Sequence, residues 1–144
     1  MTQIINDLTS TMKIDPDAYS PITSTSRSAS LGYALAGWLY MLRRQKNTRI
    51  QAVASLVVMV IALWLEVDFT GLALIILSIT IVWMAEFMNA AVEAAVNLAS
   101  QELHPMAKVG KDVASAAVLL GVVASVLIGL LVMGPPLLEK LAGG

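Results

Sequence analysis

The chain has 144 residues, 58% of them hydrophobic and 13% charged, with no cysteine, one histidine and a formal net charge of −1. A typical soluble domain is about 45–50% apolar and about 25% charged, so half that charge argues against an ordinary soluble globule, and the high apolar content argues against a disordered chain. The near-zero charge leaves no global basic field for nucleic acid. The lack of cysteine removes disulfide frameworks, Cys-based zinc and iron–sulfur sites and Cys nucleophiles, and the single His104 removes a multi-histidine site within one chain. A small integral membrane protein of one domain remains.

Residues 1–28 read as a mobile polar tail, with Pro16, Pro21 and a Ser/Thr-rich run from Ser20 to Ser30. Lys13 has no apolar segment behind it, unlike a secretory signal. From about residue 29 the sequence predicts an amphipathic surface helix to about residue 46. Tyr33, Trp38 and Tyr40 suit the headgroup layer, and Arg43, Arg44, Lys46 and Arg49 follow at once.

Three apolar stretches come next. Ile50–Leu65 carries no charge and stops at Glu66 and Asp68; Phe69–Ala85 continues as a helical pattern to about Ser100; Val113–Leu138 contains Pro135-Pro136, expected to end its helical part near Gly134. With their polar ends they predict spans over about 48–66, 69–100 and 108–134, since crossing the hydrocarbon takes about 20 residues with a range of about 17–25. They must be helices, because lipid offers no water to unpaired backbone groups. Lys and Arg cluster before the first span, and Lys108 and Lys111 lie between the second and third, whereas Glu66–Gly71 has neither type. The positive-inside rule therefore places the N-terminus and the second link in the cytoplasm.

A charge at the centre of a membrane helix costs about 2.5–3.5 kcal/mol on insertion scales and marks a functional site by default. Glu86, Asn89, Glu93 and Asn97 fall on one stripe of the second span, about 16 Å long at 1.5 Å per residue. The stripe points to the basic link with Lys108, Lys111 and Asp112. Carboxylates beside a lysine suit Mg²⁺ and a polyphosphate: Mg²⁺ takes oxygen ligands and shares substrate phosphates, and lysine supplies a point charge to phosphate oxygens. A partly dry carboxylate suits a proton acceptor for an alcohol. The same residues are compatible with a polar seam that fixes oligomer register or with an ion or proton path, although the first and third spans carry no acid in their interiors. No Walker loop, GxGxxG or kinase catalytic-loop pattern is present. Ser78 and Thr80 read as hydroxyls bonded to their own helix. Gly121, Ser125 and Gly129 form a ridge of small residues suited to close helix packing. Three thin helices cannot by themselves shield two acids from lipid, which predicts an oligomer.

The segment Ala85-Glu-Phe-Met-Asn-Ala-Ala-Val-Glu-Ala-Ala-Val-Asn97, followed by His104-Pro-Met-Ala-Lys-Val-Gly-Lys-Asp-Val-Ala-Ser-Ala-Ala-Val-Leu-Leu120, resembles the signature of the prokaryotic diacylglycerol kinase family, which includes the undecaprenol kinases. The resemblance covers about residues 30–135. It implies an all-α, three-span membrane enzyme with an N-terminal surface helix, usually a homotrimer, in the bacterial cytoplasmic membrane with its site on the cytoplasmic side. Such an enzyme transfers the γ-phosphoryl of Mg·ATP to the hydroxyl of diacylglycerol or undecaprenol. By position, the resemblance makes Glu86 the general base and Asn89 its polar neighbour, and Glu93 a metal- and nucleotide-binding residue. Lys111 and Asp112 become the pair at the nucleotide phosphates, Ser115 a small polar residue near the substrate lipid, and Tyr33 and Gly37 part of the nucleotide-binding surface helix. Gln45 stands where the family has a metal-binding Glu, and Asn97 where it has Asp. These two amides leave room for an alternative, an impaired homologue that binds lipid or nucleotide without turnover.

Overall fold

The computed structural model describes residues 26–99 and 104–143, and every regular element among them is an α-helix: α1 (Arg27–Arg44), α2 (Lys46–Trp64), α3 (Phe69–Ala99) and α4 (Pro105–Leu141). Helices α2, α3 and α4 are each long and apolar enough to cross a membrane, as the composition required. The polar tail expected over residues 1–28 lies outside the described residues, apart from its last three.

The chain divides after Leu39 into two compact units. In the first, Ser26 caps α1 by accepting a hydrogen bond on Oγ from the Ala29 amide at 3.2 Å, so the helix begins at Arg27, ahead of the expected residue 29. Tyr33 and Trp38 are exposed on it.

In the second unit a single extended residue, Gln45, separates α1 from α2. The far end of α2 closes in a Schellman arrangement: the Val67 amide donates to the Ala62 carbonyl and the Glu66 amide to the Leu63 carbonyl. Glu66 takes the left-handed position with φ 55, where glycine is the usual occupant. Asp68 then caps α3 by accepting from the Gly71 amide at 2.9 Å, and the chain has turned back within a few residues. The indole Nε1 of Trp83 donates to Ser55 Oγ at 3.1 Å and sets the register of the antiparallel α2–α3 pair.

Helices α3 and α4 pair along their length. Gly121 packs against Val82, the Ser125 hydroxyl donates to the Ser78 carbonyl at 3.1 Å, and Val132 reaches Gly71. Each step along α3 is matched by an equal step back along α4. The ridge of small residues is thus used within the chain: Gly121 and Ser125 bring α4 close to α3. Gly129 meets only Met133 of its own helix. Buried Ala62, Leu65, Ile75 and Val82 form the small core.

The two buried glycines differ. A Cβ at Gly71 would lie 2.5 Å from Val67 Cγ1 and 2.8 Å from Val132 Cγ1, whereas a Cβ at Gly121 would meet Val82 at an ordinary 3.6 Å. Gly71→Ala is expected to destabilise the bundle by about 1–3 kcal/mol through overpacking. Gly121→Ala should leave stability unchanged or raise it by up to about 1 kcal/mol, the helix-propensity gain over glycine. Thermal melting of the two variants in one detergent checks the contrast.

Helix α4 begins at His104, whose Nδ1 accepts from the Met106 amide at 3.2 Å, with Pro105 in the first turn. It departs from expectation at its other end. The helix does not stop near Gly134 but runs through Pro135-Pro136 to Leu141. Proline has a helical φ; what normally breaks the helix is the clash with the residue before it and the lost donor. Gly134 carries no Cβ to clash with Pro135. The last turn is also held from outside, because Lys140 Nζ donates to the Trp64 carbonyl at 2.7 Å and sits 4.9 Å from the Trp64 ring centroid, 3.7 Å from Glu66.

Candidate active site

The stripe on α3 meets α4 where their polar residues begin. Asn89 Nδ2 donates to Glu93 Oε1 at 3.2 Å, one turn along the same helix. Ser115 Oγ on α4 donates to Asn89 Oδ1 at 3.4 Å, so the Asn89 carboxamide is oriented from both sides. Lys111 Nζ donates to Asn97 Oδ1 at 2.7 Å. Glu86, Asn89, Glu93, Lys111, Ser115 and Asn97 therefore occupy one facing strip of the α3–α4 pair.

Lys111 and Asp112, which the resemblance puts together at the nucleotide phosphates, have separate side-chain partners in the structure. Asp112 forms a salt bridge with Lys108, one turn back on the exposed side of α4. Adjacent residues on a helix point about 100° apart, so Lys111 and Asp112 cannot both face α3. Asn97 holds Lys111 instead. A carboxamide orients the ammonium without cancelling its charge, and among the described residues Lys111 has no ion pair. Its full positive charge is available to an anion.

Between α2, α3 and α4 lies a cavity of about 710 Å³. Its wall carries Asn47, Gln51 and Glu86 toward one end and apolar residues such as Leu65 and Leu137 toward the other. The hydroxyls on the wall are already engaged: Ser55 accepts from Trp83, Ser78 donates to the Ile75 carbonyl, and Ser125 donates to the Ser78 carbonyl. The polar recognition capacity of the cavity is thus concentrated where Glu86 stands.

Gln51 and Asn47 were not singled out by the sequence. Gln51 lies one residue inside an apolar run, and its side-chain oxygen and nitrogen are both buried without a hydrogen-bond partner among the described residues. A scan for charge passes over an uncharged amide; counting side-chain polar atoms in apolar runs would have found it. Gln45 sits at the α1–α2 junction with its backbone extended. Tyr33 and Gly37 stand four residues apart on α1 in the first compact unit, both exposed.

The donors fit a hard divalent cation that completes its shell from phosphates and water. Among the described residues no three acidic or histidine side chains gather into a self-sufficient metal site. Glu86 and Glu93 share one helix face with carboxamide oxygens, and on the facing strip of α4 Lys111 has no ion pair among the described residues. This local excess of negative charge is what a cation must offset before a polyphosphate approaches, and Mg²⁺ is usually held by only one or two carboxylates plus substrate phosphates.

Fold and site together define a small three-span membrane protein with one carboxylate, Glu86, on the wall of an apolar cavity and a second carboxylate and an ammonium, Glu93 and Lys111, farther along the α3–α4 pair, an arrangement suited to joining a phosphate to a lipid. Residues 32–133 match the model of the prokaryotic diacylglycerol kinase family. The chain is 36% identical over 111 residues to a diacylglycerol kinase of Synechocystis sp., covering 76% of this chain and 63% of that protein. It is 35% identical over 96 residues to the Escherichia coli K12 diacylglycerol kinase (67% of this chain, 79% of the relative) and 34% identical over 95 residues to the Bacillus subtilis undecaprenol kinase (66% and 77%). The chain belongs to the prokaryotic diacylglycerol kinase family, whose members are lipid kinases, phosphotransferases with an alcohol acceptor.

Proposed function

We propose that this chain transfers the γ-phosphoryl group of ATP to the hydroxyl of a membrane lipid, in the bacterial cytoplasmic membrane and on its cytoplasmic side. The observation that carries this reading is the placement of Glu86 on the wall of an apolar cavity, on the same helix face that leads to an unneutralised Lys111. A lipid can lie in the cavity with its hydroxyl at Glu86 while the nucleotide phosphates lie toward Lys111.

Phosphoryl transfer asks the protein mainly for positioning and charge neutralisation. Glu86 accepts the proton of the lipid hydroxyl. The lipid oxygen bonds to the γ-phosphorus as its bond to the bridging oxygen breaks, and ADP leaves. Asn89, held by Ser115 and Glu93, orients the acceptor beside Glu86. Lys111 offsets charge developing on the transferred group. Glu93, with amide oxygens of Asn89 and Gln45, would hold Mg²⁺, which supplies charge neutralisation at the phosphates. The family resemblance assigns Tyr33 and Gly37 to the nucleotide as well, and the exposed Lys108–Asp112 pair borders the phosphate end. The positive-inside distribution supports the cytoplasmic assignment: Arg43 and Arg44 close α1 and Lys46 and Arg49 open α2, at the end of the bundle that carries Lys108 and Lys111. The same reading includes a homotrimer, in which neighbouring copies shield the two acids from lipid.

Purified protein in mixed micelles, given radiolabelled ATP, Mg²⁺ and lipid, is expected to label the lipid only when all three are present. Gln45 and Asn97, amides where the family has acids, favour a second reading as a non-enzymatic binder. Nucleotide binding without labelled lipid would select it.

A further inference from the structure

Gln51 is not used by the steps above. It lies on α2, lines the same cavity as Glu86, and both polar atoms of its carboxamide are buried without a partner among the described residues. The register places it. Trp83 Nε1 bonds Ser55 Oγ across the antiparallel α2–α3 pair. One turn back along α2 from Ser55 is Gln51, and one turn forward along α3 from Trp83 is Glu86, so the two stand at the same level of the bundle. A buried amide that satisfies neither its donor nor its acceptor is rare in folded proteins and calls for an unseen partner. Gln51 has a flexible side chain, so its amide can turn into the cavity to meet one.

The partner's chemistry follows from the site. The acceptor hydroxyl donates to Glu86. A polyprenol has no other polar atom, so it would leave the Gln51 amide without a bond. A diacylated glycerol carries an ester on the carbon next to the hydroxyl-bearing one, which puts a carbonyl oxygen a few bonds from the hydroxyl, within reach of a side chain at the same level. That oxygen accepts what the Gln51 amide donates. The remaining wall is apolar or has its hydroxyls engaged, and it suits the acyl chains.

We propose that Gln51 is a specificity-determining residue whose carboxamide binds the ester carbonyl beside the acceptor hydroxyl, so that the site takes a diacylated glycerol in preference to a polyprenol. This rests on the lipid-kinase reading above. A site built to hydrogen-bond a substrate group discriminates against analogues lacking it.

The test compares three acceptors in the same micelles with Mg·ATP: a diacylglycerol, the dialkylglycerol of equal chain length that keeps the hydroxyl but has ether oxygens in place of esters, and undecaprenol. For the unaltered protein, kcat/KM should be roughly tenfold lower on the ether, the scale of one neutral hydrogen bond, and lower still on undecaprenol. This comparison needs no variant. Gln51→Leu should lose roughly tenfold on the ester and almost nothing on the ether, bringing the two acceptors level. Equal rates on ester and ether with the unaltered protein, a preference for undecaprenol, or an equal loss on both acceptors in Gln51→Leu would overturn the role of Gln51 and leave the kinase reading standing. No transfer to any acceptor would overturn both.

Discussion

Glu86→Gln is expected to lower lipid phosphorylation by roughly 10²–10⁴-fold, the range associated with losing a positioned general base. The substitution keeps size and shape on the cavity wall and removes only the proton-accepting charge. In the proposed arrangement Glu86 faces the lipid and Lys111 the phosphates, so KM for ATP should change little and the loss should fall on kcat. Single-turnover transfer from radiolabelled ATP, with nucleotide binding measured in parallel, separates these effects. Full turnover in Glu86→Gln would remove it as the base. The opposite pattern, intact kcat and weakened ATP binding, would move Glu86 to the metal.

Lys111→Met should lower kcat/KM by roughly 10²–10³-fold, comparable with deleting a group aimed at developing transition-state charge. Methionine preserves the apolar stem and bundle packing, so melting in detergent should be nearly unchanged. Here KM for ATP is expected to rise along with the fall in kcat, because Lys111 is the described cation on this strip that has no carboxylate partner. Asn97→Ala tests how that charge is held: without the 2.7 Å hydrogen bond from Lys111, the ammonium remains but is less confined, and a milder loss of roughly tenfold follows. A similar loss in both variants would mean that Lys111 acts only when held by Asn97, with the unconfined charge contributing nothing. Asp112→Asn should be much weaker in its effect, since its carboxylate is engaged by Lys108 at the surface.

Helix class, the three spans and the stripe were legible from the chain order alone, because each depends on neighbours a few residues apart. A run of Leu, Ile and Val must satisfy its own backbone in lipid, and a spacing of three and four residues places Glu86, Asn89, Glu93 and Asn97 on one face wherever the helix goes. The end of α4 was less legible. Pro135-Pro136 is a local stop signal, and the helix passes through it where Gly134 presents no Cβ to the Pro135 ring and Lys140 reaches Trp64, a residue 76 positions away in sequence. The resemblance set Lys111 and Asp112 together at the nucleotide phosphates, and what it could not supply is that their side chains, diverging on one helix, have separate partners in Asn97 and Lys108.

Composition, span lengths, the polar stripe and the family signature thus follow from residue order. The pairings across helices do not: Lys111 with Asn97, Ser115 with Asn89, the small ridge of α4 spent against Val82 and Ser78, and the level that Gln51 shares with Glu86. Those depend on the register between antiparallel helices, which is set by turn geometry and by contacts such as Trp83 with Ser55, between residues 28 positions apart. Periodicity tells which face a side chain occupies, whereas the partner across that face is chosen by packing of the whole bundle.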